Sequence, residues 1–235
     1  MTRPPSHWPF PPAVISKPKL PGLSDREPDF MWIATDSANL YPVLIEIETP
    51  HKPWFYGDRA EIHSSFIHAQ GQLAEWRAWF NEGTNPLAFL DHYEVPDLLR
   101  RRQLAPRYVL IYGRRDDYAG SQRRLEKRAQ LAREDERLMS FDRLTPAKYG
   151  PMLACVAKRQ DGYRAVSVPP SWTIENDGDD YLPVQGWDSA LDAAEDMAEV
   201  RRRYLKAELG QLLADPHRHY QTGDGGVRFR HIRWL

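Results

Sequence analysis

Only one cysteine, Cys155, occurs in the 235 residues. No intramolecular disulfide can therefore close, and its apolar setting, MLACVA, reads as a small buried hydrophobe rather than a catalytic thiol. No apolar run approaches the roughly 18 residues a membrane span needs, and the opening MTRPPSHWPFPP lacks the continuous apolar segment of a secretory signal. The expectation is a cytoplasmic protein with no membrane partner. A glycine-rich phosphate loop, paired CxxC zinc spacing and a nucleophile elbow are also missing, which sets aside Walker-type, zinc-ribbon and α/β-hydrolase chemistry. Net charge is almost nil, −1 at neutral pH, so the chain is no nonspecific polycation.

Lysine is scarce: seven against 25 arginines. The arginines cluster at Arg100 to Arg102, Arg114 and Arg115, Arg123 and Arg124, Arg201 to Arg203, and Arg228, Arg230 and Arg233. Guanidinium is the better fork for phosphate oxygens, although such clusters are more often solvated helix faces paired with carboxylates.

The hydrophobic share of 41% suffices for one compact unit with an appendage. Residues 1–27 are proline-rich and aperiodic, the pattern of an extended arm docking through Trp8 and Phe10. Residues 28–150 hold the core pattern. DFMWIATD at 29–36 and LYPVLIEIET at 40–49 are β-prone runs on either side of the turn-forming Ser37-Ala38-Asn39, which predicts an antiparallel hairpin. Pro42 cannot donate to a ladder and points to an edge or bulge. Helical spacing of Ile62, Phe66, Ile67, Leu73, Trp76, Trp79 and Phe80 predicts a helix from about 60 to 81. A strand is expected at 107–113, and a charged helix at 119–137 with Leu125, Ala129 and Leu131 inward. A further strand, ending in a turn, should run over 138–144. Residues 151–235 should add two strands at 152–158 and 163–168, one long helix over 188–214 and a closing basic strand, VRFRHIRW, packed on the core. The fold class is α/β, a mixed sheet flanked by helices with a small C-terminal α+β extension.

Chemistry concentrates in the hairpin. A turn centred between Ser37 and Ala38 sets Asp29 directly opposite Glu46, with Cβ atoms roughly 4.5–5.5 Å apart, close enough to share a cation. Alternation puts Glu48 on the same face as Glu46. Three carboxylates amid Phe30, Met31, Trp32, Leu44, Ile45 and Ile47 are costly to bury unless a metal or donors compensate. The pattern alone allows either a metal site or a wet strand end. His51, His63 and His68 lie near the core, but the spacing of 63 and 68 misplaces them for a shared helix face; His217 and His219 could sit on one side of an extended segment, an equally weak case for ligation.

Pro28-Asp29-Phe30 followed by Ile45-Glu46-Ile47-Glu48-Thr49-Pro50 resembles the "PDF … EIKxP" core of the Shedu family of bacterial anti-phage proteins, a branch of the PD-(D/E)XK nuclease superfamily. The likeness continues through the helix HSSFIHAQGQLAEWRAWF at 63–80, with Gln72-Leu73 before Trp76. It extends to VLIYGRR at 109–115 and LMSFDRL at 138–144, and more loosely to VPPSW at 168–172 and GW at 186–187. The resemblance implies a restriction-endonuclease-like fold and a metal-dependent endonuclease acting on DNA. It implies Mg²⁺ or Mn²⁺ held by Asp29, Glu46 and the Ile47 carbonyl, with Gln72 holding water or a phosphate oxygen, and a homo-oligomer, dimer or tetramer. Trp76, at helical spacing, reads first as core.

Glu48 occupies the superfamily's lysine slot. Either Glu48 acts there as base or ligand, or Lys52 swings in as a migrated lysine. The missing lysine leaves a second reading: a nuclease fold without chemistry, serving as a DNA-binding or assembly module. A third is an interaction protein paired through its arginine-rich C-terminal helix.

Overall fold

The computed structural model describes residues 13–23, 27–57, 60–95, 97–144, 154–172 and 184–214. The expectations for Trp8, Phe10, His217, His219 and the closing basic strand lie outside the described residues. Strands, numbered along the chain, are β1 (Ala13–Ser16), β2 (Phe30–Thr35), β3 (Asn39–Ile47), β4 (Gln103–Leu104), β5 (Arg107–Ile111), β6 (Glu136–Met139), β7 (Ala154–Arg159), β8 (Gly162–Ser167) and β9 (Val184–Gln185). Helices are α1 (Ser64–Asn81), α2 (Asn85–His92), α3 (Asp97–Arg100), α4 (Asp116–Ala119), α5 (Gln122–Ala129), α6 (Trp187–Asp192) and α7 (Glu199–Ala214). The architecture is mixed α/β, and the chain divides into two compact units.

The first unit, residues 17–148, carries the hairpin. Its strands lie in the order β6, β5, β3, β2, with β4 also beside β3. Only β2 and β3 are antiparallel; β5 runs parallel to β3 and β6 parallel to β5. Parallel neighbours need long crossovers, and α1 to α3 fill the first while α4 and α5 fill the second. Pro42 sits inside β3, not at an edge. Its missing donor is tolerated because β4 pairs with Asn39 and Leu40 and β5 only from Val43 onward, so Pro42 falls in the gap.

Helix α1 buries Phe66, Ala69, Leu73, Trp76 and Phe80, a stripe at three- and four-residue spacing that faces the core. Trp76 is 0% exposed, a core residue. His63 caps the helix, its Nδ1 accepting from the Ser65 N–H at 3.2 Å. The other end is fixed to the sheet by Arg77, whose Nε donates to Asp135 Oδ2 at 2.8 Å and Nη2 to Glu136 Oε1 at 2.5 Å, the guanidinium lying over the Tyr108 ring.

Three expectations are corrected. The charged helix at 119–137 is only α5, preceded by the short α4. Ser121 caps α5 by accepting from the Arg124 N–H, and Glu136 is drawn into β6 by Arg77 and Arg133. Leu125, expected inward, is 37% exposed. Second, the strand expected over 138–144 and ending in a turn starts and ends earlier, at 136–139, and the turn is a 3₁₀ one at Phe141–Arg143. Third, the long helix is two. Arg202 bonds the Leu191 and Ala194 carbonyls, both at 2.9 Å, satisfying groups freed where α6 stops.

The second unit joins residues up to Ser16 with those from 149 onward. Ala13–Ser16, within the stretch read as an arm, forms β1 and pairs parallel with β7, which forms an antiparallel pair with β8. Cys155 is half-buried on β7, and burial pushes its thiol pKa up, as expected of an inert cysteine.

Gly113, after β5, links the sheet to the loop beyond Glu48. Its φ is +57°, and a Cβ there would stand 2.6 Å from the Lys52 carbonyl oxygen and 2.8 Å from Trp54 Nε1. Gly113→Ala is expected to cost about 2–4 kcal/mol, from left-handed strain plus a clash with backbone. Urea denaturation checks this, and a loss below about 0.5 kcal/mol would show that the close approach relaxes freely.

Candidate metal centre

The hairpin register runs from Phe30 opposite Ile45 to Thr35 opposite Leu40. This is the alignment that brings Asp29 to Glu46. Asp29 stands one residue before β2. Its N–H donates to the Ile45 carbonyl at 3.0 Å, and its Oδ2 accepts the Ile47 N–H at 2.7 Å. A carboxylate thus takes over where the ladder would continue. Ile47 is 37% exposed. Glu48 sends its N–H to Ile111, so alternation turns the Ile47 N–H and carbonyl away from β5, toward Asp29.

The other Asp29 oxygen meets a residue that sequence reasoning missed. Lys17 Nζ lies 2.5 Å from Asp29 Oδ1, and the Lys17 N–H donates to the Asp29 carbonyl at 2.9 Å. Lys17 adopts a left-handed φ of +44°, and its side chain is 64% exposed. No spacing rule links positions 17 and 29. The one local signal is the Lys17-Pro18 pair at the edge of a β-prone tetrapeptide, which marks a bend but names no partner.

Glu46 is half-buried near the end of β3. Its Oε2 is shut off from solvent and has no hydrogen-bond partner among the described residues. Burial pushes its pKa up to about 7, and the neighbouring Asp29 and Glu48 carboxylates push the same way. The Lys17 ammonium and a hydrogen bond from the Gln72 amide, reaching over from α1, act in the opposite sense without prevailing. Glu48 is turned to Lys52, whose ammonium is ion-paired with its Oε2. The loop carrying Lys52 is held from below: Asp117 accepts from the Trp54 and Phe55 N–H groups, and the Tyr112 hydroxyl donates to the Pro53 carbonyl at 3.0 Å.

Asp29, Glu46, Glu48, Gln72 and Lys52 therefore gather about the end of the hairpin, joined by Lys17. Among the described residues no three His, Cys, Asp or Glu side chains stand together as a ligand set for a metal ion. The expected patch of three equivalent carboxylates resolves into an Asp29–Glu46 pair with Glu48 beside it, drawn off by Lys52. That pair and the Ile47 carbonyl are hard oxygen donors suited to Mg²⁺ or Mn²⁺. Of Asp29, Glu46 and Glu48, only Glu46 has no ion pair to a lysine or arginine among the described residues.

The unfolded chain loses the Glu46 proton near 4.5 and the folded one near 7. Between those values the folded state binds more protons, so stability contributed at this position falls as pH rises through the window and stays low above it. Glu46→Gln should raise Tm by roughly 2–6 °C at about pH 8 and by less than about 1 °C near pH 4, where Glu46 is protonated in both states. Calorimetry showing no gain at the higher pH would mean that the carboxylate is compensated.

No curated protein and no solved structure matches the chain. The family model described as "Shedu protein SduA, C-terminal" matches residues 8–145, more than half of the sequence and all of the residues that build this site. With the PDF and EIE segments on adjacent strands and Gln72 directed at them from α1, the chain belongs to the Shedu family of anti-phage defence proteins.

Proposed function

We propose that the protein is a metal-dependent DNA endonuclease of restriction-endonuclease-like fold that cuts phosphodiesters in anti-phage defence, working as a homo-oligomer. The observation that carries this reading is the buried, unpartnered Glu46 oxygen beside a second carboxylate at the exposed end of the hairpin. Asp29, Glu46 and the Ile47 carbonyl would hold Mg²⁺ or Mn²⁺. Bound there, the ion would polarise the phosphodiester and lower the pKa of an attacking water.

The remaining roles belong to side chains of this chain. Gln72, whose amide favours the charged form of Glu46, would steady that carboxylate and leave its amide oxygen to orient water. Glu48 and Lys52 act as a pair in the slot where relatives carry lysine: the ammonium offsets phosphate charge and the carboxylate steers the ammonium. Lys17 is the counter-charge that Asp29 keeps before metal arrives, and its exposed stem lets it swing away.

A second reading, a DNA-binding or assembly module without chemistry, draws support from the same ion pairs. Asp29 and Glu48 are each neutralised from within the chain, as in a site that no longer needs a cation. The two readings separate on linear and circular duplex DNA with Mg²⁺ or Mn²⁺. The endonuclease reading expects cutting that falls at least about 100-fold in Glu46→Ala. In Lys17→Met, less Mn²⁺ should be needed for half-maximal cutting, because the competing ammonium is gone. Absence of cutting by the wild type, or cutting indifferent to Glu46→Ala, defeats it. Salt-dependent binding without divalent-dependent cleavage is the mark of the module.

A further inference from the structure

A cavity of about 220 Å³ in the first unit is lined by Arg115, Tyr118, Leu125, Arg128, Asp142 and Arg143. Three guanidinium groups face one carboxylate. That carboxylate is already engaged: Asp142 accepts from the Arg115 N–H at 2.6 Å and from Arg114 Nη1 at 3.3 Å.

Arg128 is the unusual member. It is half-buried with its guanidinium over two aromatic rings that meet edge-on, 4.8 Å from the Trp54 centroid and 4.7 Å from that of Tyr118. Its Nη2 donates to the Leu138 carbonyl at 3.0 Å, but its Nε is sealed from solvent without an acceptor among the described residues. No carboxylate pairs with Arg128, Arg115 or Arg143 among the described residues. Burial, and then Arg143, push the Arg128 pKa down, so the fold holds like charges together against their preference. A guanidinium serving structure alone is normally matched by an acid, as Arg77 is by Asp135 and Glu136. Here no acid matches Arg128 among the described residues, and a planar fork stacked on aromatics is preset for the oxygens of a phosphate.

The position says which phosphate. Strands β3, β5 and β6 run parallel, so their carboxyl ends share one edge, with Ile47 beside Ile111 and Ile111 beside Met139. Glu46 and Glu48 lie at the end of β3. Arg115 and Tyr118 follow β5, and Asp142 and Arg143 follow β6. One to two strand spacings, roughly 5–10 Å, separate these ends across the sheet. That is the reach of a few successive phosphates along one strand of nucleic acid.

We propose that this cavity is a phosphate-binding site that grips a backbone phosphodiester of the same DNA strand whose neighbouring phosphate lies at Glu46. The assignment rests on the endonuclease reading for its choice of DNA, but binding tests it without catalysis.

Anisotropy of a short labelled duplex, measured with the full chain in EDTA across a salt series, gives both affinity and salt slope. Arg115→Gln/Arg143→Gln changes only exposed side chains and so guards against the misfolding that Arg128→Met risks. It should weaken binding by about 10-fold or more at low salt and flatten the slope of log K against log salt by about 1 to 2. Arg137→Gln/Arg159→Gln, which removes equal charge from exposed positions outside the cavity, should leave the slope as it was. Wild-type affinity and slope in the cavity variant overturn the proposal, as does a wild type that fails to bind DNA at low salt. So does stabilisation by inorganic phosphate or a nucleoside monophosphate that is lost in the variant while DNA binding stays intact, since the site would then serve a free phosphate. A wild type that binds with the expected slope yet never cuts with Mn²⁺ leaves the cavity standing and removes the nuclease reading. Cutting and binding both unchanged in the variant do the reverse.

Discussion

The register of the hairpin forces two carboxylates together, and the surrounding architecture follows from how that repulsion is handled. Phe30 opposite Ile45 brings Asp29 alongside Glu46, and like charges so placed destabilise a strand pair unless something intervenes. Asp29 is relieved twice, by the Ile47 N–H and by Lys17. Glu46 has no such cation of its own and is left with a high pKa and an orphaned oxygen. Glu136, in the same unit, is the contrast: its fully buried side chain is met by Arg77 and Arg133. A fold that satisfies one buried glutamate so thoroughly and leaves another open at a strand end is storing unfavourable energy at that point, the pattern expected of a functional site.

The helices and loops around the hairpin serve this end of the sheet. Arg77 fixes α1 against β5 and β6 and so fixes the height of Gln72, five residues earlier, near Glu46. Gly113 lets the chain leave β5 against the Lys52 carbonyl, and Asp117 holds the following backbone, so the Glu48–Lys52 pair is carried on a braced loop. All of these supports belong to the unit of residues 17–148, which also holds most of the stretch that defines the family.

Period-two alternation, a three-residue turn and a helical stripe are local features, and they were legible in the sequence. The hairpin register, α1 and the strand at 107–111 follow from them directly. The features that were not legible depend on contacts between distant residues. Charge pattern alone extends α5 through 137, and only Arg77, some sixty residues away, explains why Glu136 leaves the helix for a strand. Helical propensity continues across Ala193 to Ala198, and the break there is held by Arg202 bonding carbonyls it reaches only once the chain has turned. At the site, the hairpin spacing alone set Asp29 against Glu46, whereas Gln72 was named only through the resemblance to the Shedu family. Lys17 was not legible, because an ion pair made by a residue in a bend leaves no periodic trace.

Glu46 is a carboxylate without an ion-paired cation among the described residues. Calorimetric titration of the full chain with Mn²⁺, without DNA, addresses that claim most directly. It should give one binding event per chain that tightens roughly tenfold between about pH 6 and pH 8, as the ion displaces a proton from a group titrating near 7, and that disappears in Glu46→Gln. Absence of Mn²⁺ binding by the wild type, or binding that the Glu46→Gln chain retains, would contradict it.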